Sequence, residues 1–105
     1  MTQLQDSTFE QEIAQGVSII DFWAPWCGPC KTVAPMYEAA ASSYEDKAVK
    51  FFKCDVDTCP ELSSKFSIRS VPTFVVIKDG NEVGRFIGPA NLTKNINNLI
   101  EIAKQ

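Results

Sequence analysis

The stretch Val17-Ser18-Ile19-Ile20-Asp21-Phe22-Trp23-Ala24-Pro25-Trp26-Cys27-Gly28-Pro29-Cys30 decides how this chain is read. Its first part is short and mostly apolar, which predicts a strand over 17–22 buried on both faces, as at the centre of a parallel sheet. Beyond Cys30, the residues Val33, Met36, Tyr37, Ala40, Ala41 and Tyr44 follow the i, i+3, i+4, i+7, i+8, i+11 spacing of one helical face. Pro35 falls inside that helix, where it removes a backbone hydrogen bond and predicts a kink. The two cysteines thus stand where a strand hands over to a helix N-terminus. Unpaired N–H groups and the positive end of the helix dipole stabilise a thiolate there, and the thiolate is the form of cysteine that attacks disulfides. Residues three apart share a helical face, so Cys27 and Cys30 can close into a disulfide and reopen to a dithiol. Gly28 and Pro29 read as a tight, stiff turn into the helix.

The remaining segments extend the same alternation. Ser7-x-x-Glu10 has the form of a capping box, and Phe9 and Ile13 lie one turn apart, predicting a short first helix that ends near Gly16. Val49 to Val56 reads as a strand, followed by a short helix opened by Thr58-x-x-Glu61 with Pro60 in its first turn. Thr73 to Ile77 is β-branched and aromatic, and Asp79-Gly80 is a hairpin signal into Glu82 to Ile87, so the last two strands should be antiparallel. Leu92, Ile96, Leu99, Ile100 and Ala103 form the stripe of a final helix. The expected order is αβαβαββα, an α/β fold with a central mixed sheet flanked by helices on both faces.

Bulk properties narrow the function. The 105 residues suit a single domain over 1–105 that buries a core without metal or disulfide staples. With a net charge of −3 and an isoelectric point near 4.8, and no basic cluster, neither a nucleic acid nor an anionic membrane is an expected partner. The N-terminal segment has neither a basic region nor an apolar run of export type, and no stretch approaches the ~20 apolar residues of a membrane helix. Four cysteines in such a chain point to a reducing compartment, the cytoplasm, or an organelle if a transit peptide has been removed.

Phe22-Trp23-Ala24-Pro25-Trp26-Cys27-Gly28-Pro29-Cys30-Lys31 resembles the active-site segment of the thioredoxin family, and Ser70-Val71-Pro72-Thr73-Phe74 resembles that family's cis-proline loop. The resemblance extends to the order and length of the elements over essentially the whole chain. It implies a thioredoxin fold and a protein-disulfide reductase that needs no cofactor beyond its own Cys27–Cys30 pair and binds no metal. By the same resemblance, Cys27 is the attacking nucleophile and Cys30 resolves the mixed disulfide. Asp21 is the buried aspartate that accepts the Cys30 proton, Lys53 is its neighbour, and Gly28 and Pro29 accompany a strongly reducing couple. Trp26, Val71, Pro72 and Gly88, with Pro25, would rim Cys27 and receive a partner protein, with Pro72 in cis. Trp23 fills space beneath the motif. Pro89 stands where the family often has alanine, which would stiffen one wall of that rim.

The implied partners are a thioredoxin reductase as electron donor and, as acceptors, proteins such as peroxiredoxins, methionine sulfoxide reductases or ribonucleotide reductase. A monomer is expected, and the absence of G-x-G-x-x-G agrees with a separate reductase. From the residues alone, a carboxylate inside Ile19-Ile20-Asp21-Phe22-Trp23 should be buried and take a proton near neutral pH; Asp21 could instead be a solvent-facing edge residue or a structural partner of Lys53. Cys54 reads as a small buried apolar residue. Cys59, near a helix N-terminus, is a candidate for glutathionylation or nitrosylation if exposed. A zinc knuckle using all four cysteines competes, but the C-x₄-C spacing of the second pair and the lack of histidine fit a tetrahedral site poorly. Two functional alternatives stay open: a disulfide isomerase or oxidase domain, and a non-enzymatic scaffold subunit of the same fold.

Overall fold

The computed structural model describes residues 1–105. Elements follow in the order β1 (Thr2–Gln3), α1 (Phe9–Ile13), β2 (Val17–Trp23), α2 (Gly28–Ser43), β3 (Lys50–Asp55), α3 (Pro60–Lys65), β4 (Thr73–Lys78), β5 (Asn81–Ile87) and α4 (Leu92–Ala103). They form one five-stranded sheet ordered β1-β3-β2-β4-β5. The pairs β1–β3 and β2–β3 are parallel, while β2–β4 and β4–β5 are antiparallel, so the sheet is mixed as expected. The expected pattern lacked only β1. Two exposed residues carry no periodicity, and their strand exists only because the edge of β3 is available to pair with.

Strand alternation divides the core into two layers. On one face, Ile20 and Phe22 of β2 and Val75 and Ile77 of β4 pack with Phe9 and Ile13 of α1 and Leu62 of α3. On the other, Val17, Ile19, Phe74 and Val76 pack with Val33 and Tyr37 of α2 and Leu92, Ile96, Ile100 and Ala103 of α4. With β2 interior to the sheet and both its faces covered, Val17 to Phe22 are all buried. Tyr37 carries a polar group into this layer, and its hydroxyl lies 2.7 Å from the Phe52 carbonyl and 3.2 Å from that of Ile19. Met36 departs from its expected place on the buried face and is half exposed, because α2 turns only a narrow stripe inward. The hairpin forms as expected, with Asp79 and Gly80 both at positive φ (50° and 86°), the combination a tight two-residue turn requires.

Both expected capping boxes are absent. Neither α1 nor α3 has a side-chain cap at the residue preceding it. For α3 the reason is tertiary: the carboxylate of Asp6 accepts hydrogen bonds from the backbone N–H groups of Glu61 (3.1 Å) and Leu62 (3.0 Å). Thr58 meanwhile donates its hydroxyl to Asp55 O. A carboxylate 55 residues away in sequence does what a local threonine was expected to do, and also sits at the favourable end of the helix dipole.

Candidate active site

β2 runs into the N-terminus of α2 through Ala24, Pro25 and Trp26, and Cys27 occupies the cap position of that helix. Its backbone is extended (φ −92°, ψ 110°), and its sulfur accepts the Cys30 backbone N–H at 3.1 Å. Pro29 lies in the first turn, where a missing N–H costs nothing. No acidic residue occupies that turn, so nothing on the helix competes for its positive end. Cys27 and Cys30 are joined in a disulfide, with Cα atoms 5.3 Å apart. Both are nearly enclosed, with Cys27 the more accessible at 5% against 2%. Gly28 is an ordinary helical residue, and a Cβ there would meet nothing within 4 Å. Glycine is therefore not demanded by the turn; it leaves the surface beside Cys27 open.

The Val71–Pro72 peptide is cis, as the resemblance implied. It brings Val71 O to 3.7 Å from Cys27 Sγ. Pro72 is buried, and its carbonyl accepts the N–H of Gly88 at 2.9 Å, with Gly88 at φ +90°. Trp26 is 70% exposed, and its indole N–H reaches Asp57 Oδ1 at 3.4 Å. Between Trp26 and Val71 lies a hollow of about 120 Å³, completed by Val56, Ile68, Arg69 and Ser70. Thus Trp26 and Val71 border one hollow, whereas Pro72 and Gly88 do not line it and are tied to each other beside it. Pro25 and Pro89 are exposed. Sequence reasoning missed Val56, Asp57, Ile68 and Arg69. Arg69 was findable by adjacency to Ser70-Val71-Pro72, whereas Val56 and Asp57 arrive from the end of β3 with no local signal.

Asp21 is 1% exposed, so it is not an edge residue facing water. It alternates with Ile19 on β2 and therefore looks toward α2, the helix that carries Cys30. Burial raises its carboxyl pKa from 3.8 to about 7, an effect that the positive charge of Lys53 partly offsets. Its Oδ1 has no hydrogen-bond partner. Lys53, in register with Asp21 across the β2–β3 pair, does not form a close ion pair with it; the ammonium sits 5.0 Å above the Trp23 ring. A structural Asp21–Lys53 salt bridge is thereby excluded. Trp23 joins the small cluster around Ala24, Cys27 and Cys30, and its indole N–H meets Gln3 Oε1.

The second cysteine pair lies elsewhere. Cys54 and Cys59 are free thiols in the layer of α1 and α3, away from the cluster of Cys27 and Cys30. No group of three or more His, Cys, Asp or Glu residues is placed to hold a metal ion, and the four-cysteine zinc knuckle has no geometric basis. Cys59 is 2% exposed and points its thiol at Leu4 O, 3.0 Å away. The exposure that modification by a bulky thiol requires is missing.

A disulfide closed across the first turn of a long helix, next to a cis-proline loop at one end of a mixed sheet, defines a thiol–disulfide oxidoreductase of thioredoxin type. The thioredoxin family model matches residues 1–101. Thioredoxins of Staphylococcus saprophyticus and Staphylococcus aureus are 44% and 42% identical over 88 residues, 84% of this chain and 84% of each relative. Among solved structures, thioredoxin of Plasmodium falciparum superposes with a TM-score of 0.85 at 36% identity, covering 97% of this chain and 98% of that one. Thioredoxin of Malassezia sympodialis gives 0.84 at 31%, covering 100% and 92%. The chain belongs to the thioredoxin family. It is a protein-disulfide reductase whose redox centre is its own cysteine pair, working between a reductase and disulfide-bearing proteins. No helix is long and apolar enough to cross a membrane.

Proposed function

We propose that Cys27 performs the attack and Cys30 the resolution, and that Asp21 takes the proton between the two steps. The observation that carries the assignment is the Cys27 sulfur at the cap of α2, accepting the Cys30 N–H at 3.1 Å. In the dithiol state a Cys27 thiolate keeps that hydrogen bond and the dipole of a 16-residue helix. It attacks one sulfur of a substrate disulfide; the substrate S–S bond breaks, and the departing thiolate takes a proton from water. Cys30 then gives its proton to the Asp21 carboxylate and attacks Cys27 Sγ. The mixed disulfide breaks, the substrate leaves as a dithiol, and Cys27–Cys30 closes as seen here. A carboxyl with a pKa of about 7 is matched to accepting and releasing a proton near neutral pH.

Substrate enters as an extended segment over the hollow between Trp26 and Val71, laid against the backbone edge that the cis Val71–Pro72 peptide leaves free, with Gly88 on the opposite side. Gly28 and Pro29 tune the couple toward reduction, and Lys53 tempers the Asp21 carboxyl from across the sheet. The acceptors are proteins of the peroxiredoxin, methionine sulfoxide reductase or ribonucleotide reductase type, and the donor is a thioredoxin reductase. The protein works in the cytoplasm as a monomeric single domain over residues 1–105. A Cys30→Ser variant passed through a lysate tests the roles. It should be recovered as covalent mixed disulfides with partner proteins, and a Cys30→Ser protein free of adducts would reverse the assignment.

A further inference from the structure

The loop that passes beside Cys27 is loosely tied. Ahead of it, Ile68 donates its N–H to Ser63 O at 3.0 Å and packs on the layer of α1 and α3. Behind it, Pro72 O accepts the Gly88 N–H. Between these anchors, Arg69, Ser70 and Val71 make no hydrogen bond to any other backbone group. One side chain closes the gap: the Thr73 hydroxyl donates to Ser70 O at 2.7 Å. Thr73 opens β4 with Phe22 of β2 in register on one side and Ile87 of β5 on the other, and it is 2% exposed. A β-branched side chain has few χ1 choices, so a threonine held between two strands aims its hydroxyl in a fixed direction. The acceptor, by contrast, belongs to an exposed residue whose carbonyl water would satisfy as well. The bond therefore adds little stability and a great deal of position.

We propose that Thr73 is a positioning residue for substrate docking: its hydroxyl locks the Ser70–Val71 peptide so that the Val71 N–H is presented to the backbone of an extended polypeptide. The peptide unit is planar, and in its trans form the C=O and the N–H point in opposite directions. With Ser70 O turned in on Thr73, the Val71 N–H is turned away from Thr73, and it has no partner within the chain. Val71 itself packs on the cluster of Ala24, Cys27 and Cys30, and its carbonyl stands 3.7 Å from Cys27 Sγ. A segment paired with the Val71 backbone thus lies alongside the reacting sulfur. Without the hydroxyl, the Ser70–Val71 peptide is free to rotate about its flanking bonds, and each substrate has to order it on arrival, which weakens binding. A small disulfide with no backbone to pair is indifferent to that order. The proposal rests on the docking role given above to the loop of Val71.

The test compares the full chain with Thr73→Val, which keeps the shape and loses the hydroxyl, and with Thr73→Ser, which keeps the hydroxyl. Each protein, recycled by a thioredoxin reductase, is assayed on insulin and on the small disulfide dithiobis(nitrobenzoate). Thr73→Val should raise KM for insulin by about three- to tenfold while kcat stays within about twofold. Its rate on the small disulfide should also stay within about twofold, and its potential in glutathione buffers should not move. Thr73→Ser should return KM to within about twofold of the parent. Thr73→Ala against Thr73→Ser makes the same comparison with a second variant that lacks the hydroxyl. An unchanged insulin KM in Thr73→Val and Thr73→Ala, an equal rise in Thr73→Ser, or a proportionate loss on both substrates would overturn the proposal. A parent chain that reduced the small disulfide and not insulin would instead remove the docking reading, and would do so before any variant was compared.

Discussion

Cys27 and Cys30 are separated by two residues, Cys54 and Cys59 by four, and both pairs lie next to the first turn of a helix. The first pair caps a 16-residue helix at a surface hollow bordered by an exposed tryptophan and a cis-proline loop. The second sits in a closed apolar layer against a six-residue helix whose N–H groups are already taken by Asp6. The N–H that meets sulfur in the first case meets a carboxylate in the second. Cysteine spacing is therefore a weak guide to reactivity; the competitor for the helix terminus and the path to solvent decide it.

The largest effect expected from this contrast is catalytic. Cys27→Ser should abolish disulfide reduction, whereas Cys54→Ala and Cys59→Ala should each leave insulin turnover of the reduced protein within about twofold. A loss comparable to that of Cys27→Ser in either alanine variant would erase the distinction between the pairs.

Asp21 sharpens it from beneath. Because the folded-state pKa of its carboxyl is raised from 3.8 to about 7, the native chain holds more protons than the unfolded one between those values. Stability should therefore fall as pH rises from about 4 to about 7, by a few kcal/mol at most. Asp21→Asn removes this slope and should leave the protein as stable as the parent, or more so, near neutral pH. The same change should slow release of the mixed disulfide by about a hundredfold while the first attack persists. Melts across pH and stopped-flow exchange read the two halves. Marked destabilisation with unchanged rates would make Asp21 purely structural.

Asp6 belongs to the other pair. Asp6→Ala uncaps α3 and should cost about 1 kcal/mol, with little change in insulin reduction by the reduced protein. The smallest effect is expected at the indole contact. Asp57→Asn should raise KM by no more than about threefold, since an exposed hydrogen bond at 3.4 Å contributes little.

Elements with strong periodicity were legible from sequence alone. The buried run of β2, the spacing of α2 and α4 and the Asp79-Gly80 turn each report a local preference that the fold keeps. Failures came where a distant partner intervenes. Ser7 and Thr58 have the right chemistry for caps, yet Asp6 reaches α3 across the fold, and β1 exists only through β3. The cysteine motif and the burial of Asp21 were readable because each is an anomaly within its own segment. Val56 and Asp57 were not, because their place beside Trp26 depends on where β3 ends in three dimensions. The exposure of Cys59 beside its helix start was not legible in the sequence, and only the fold shows Leu4 lying over it.

The contrast between the pairs is tested most directly by the rates at which the four thiols of the reduced native protein alkylate with iodoacetamide at neutral pH, resolved peptide by peptide. Cys27 should react at least about a hundredfold faster than the core thiols Cys54 and Cys59. Cys54 alkylating as fast as Cys27 in the folded protein would contradict the account.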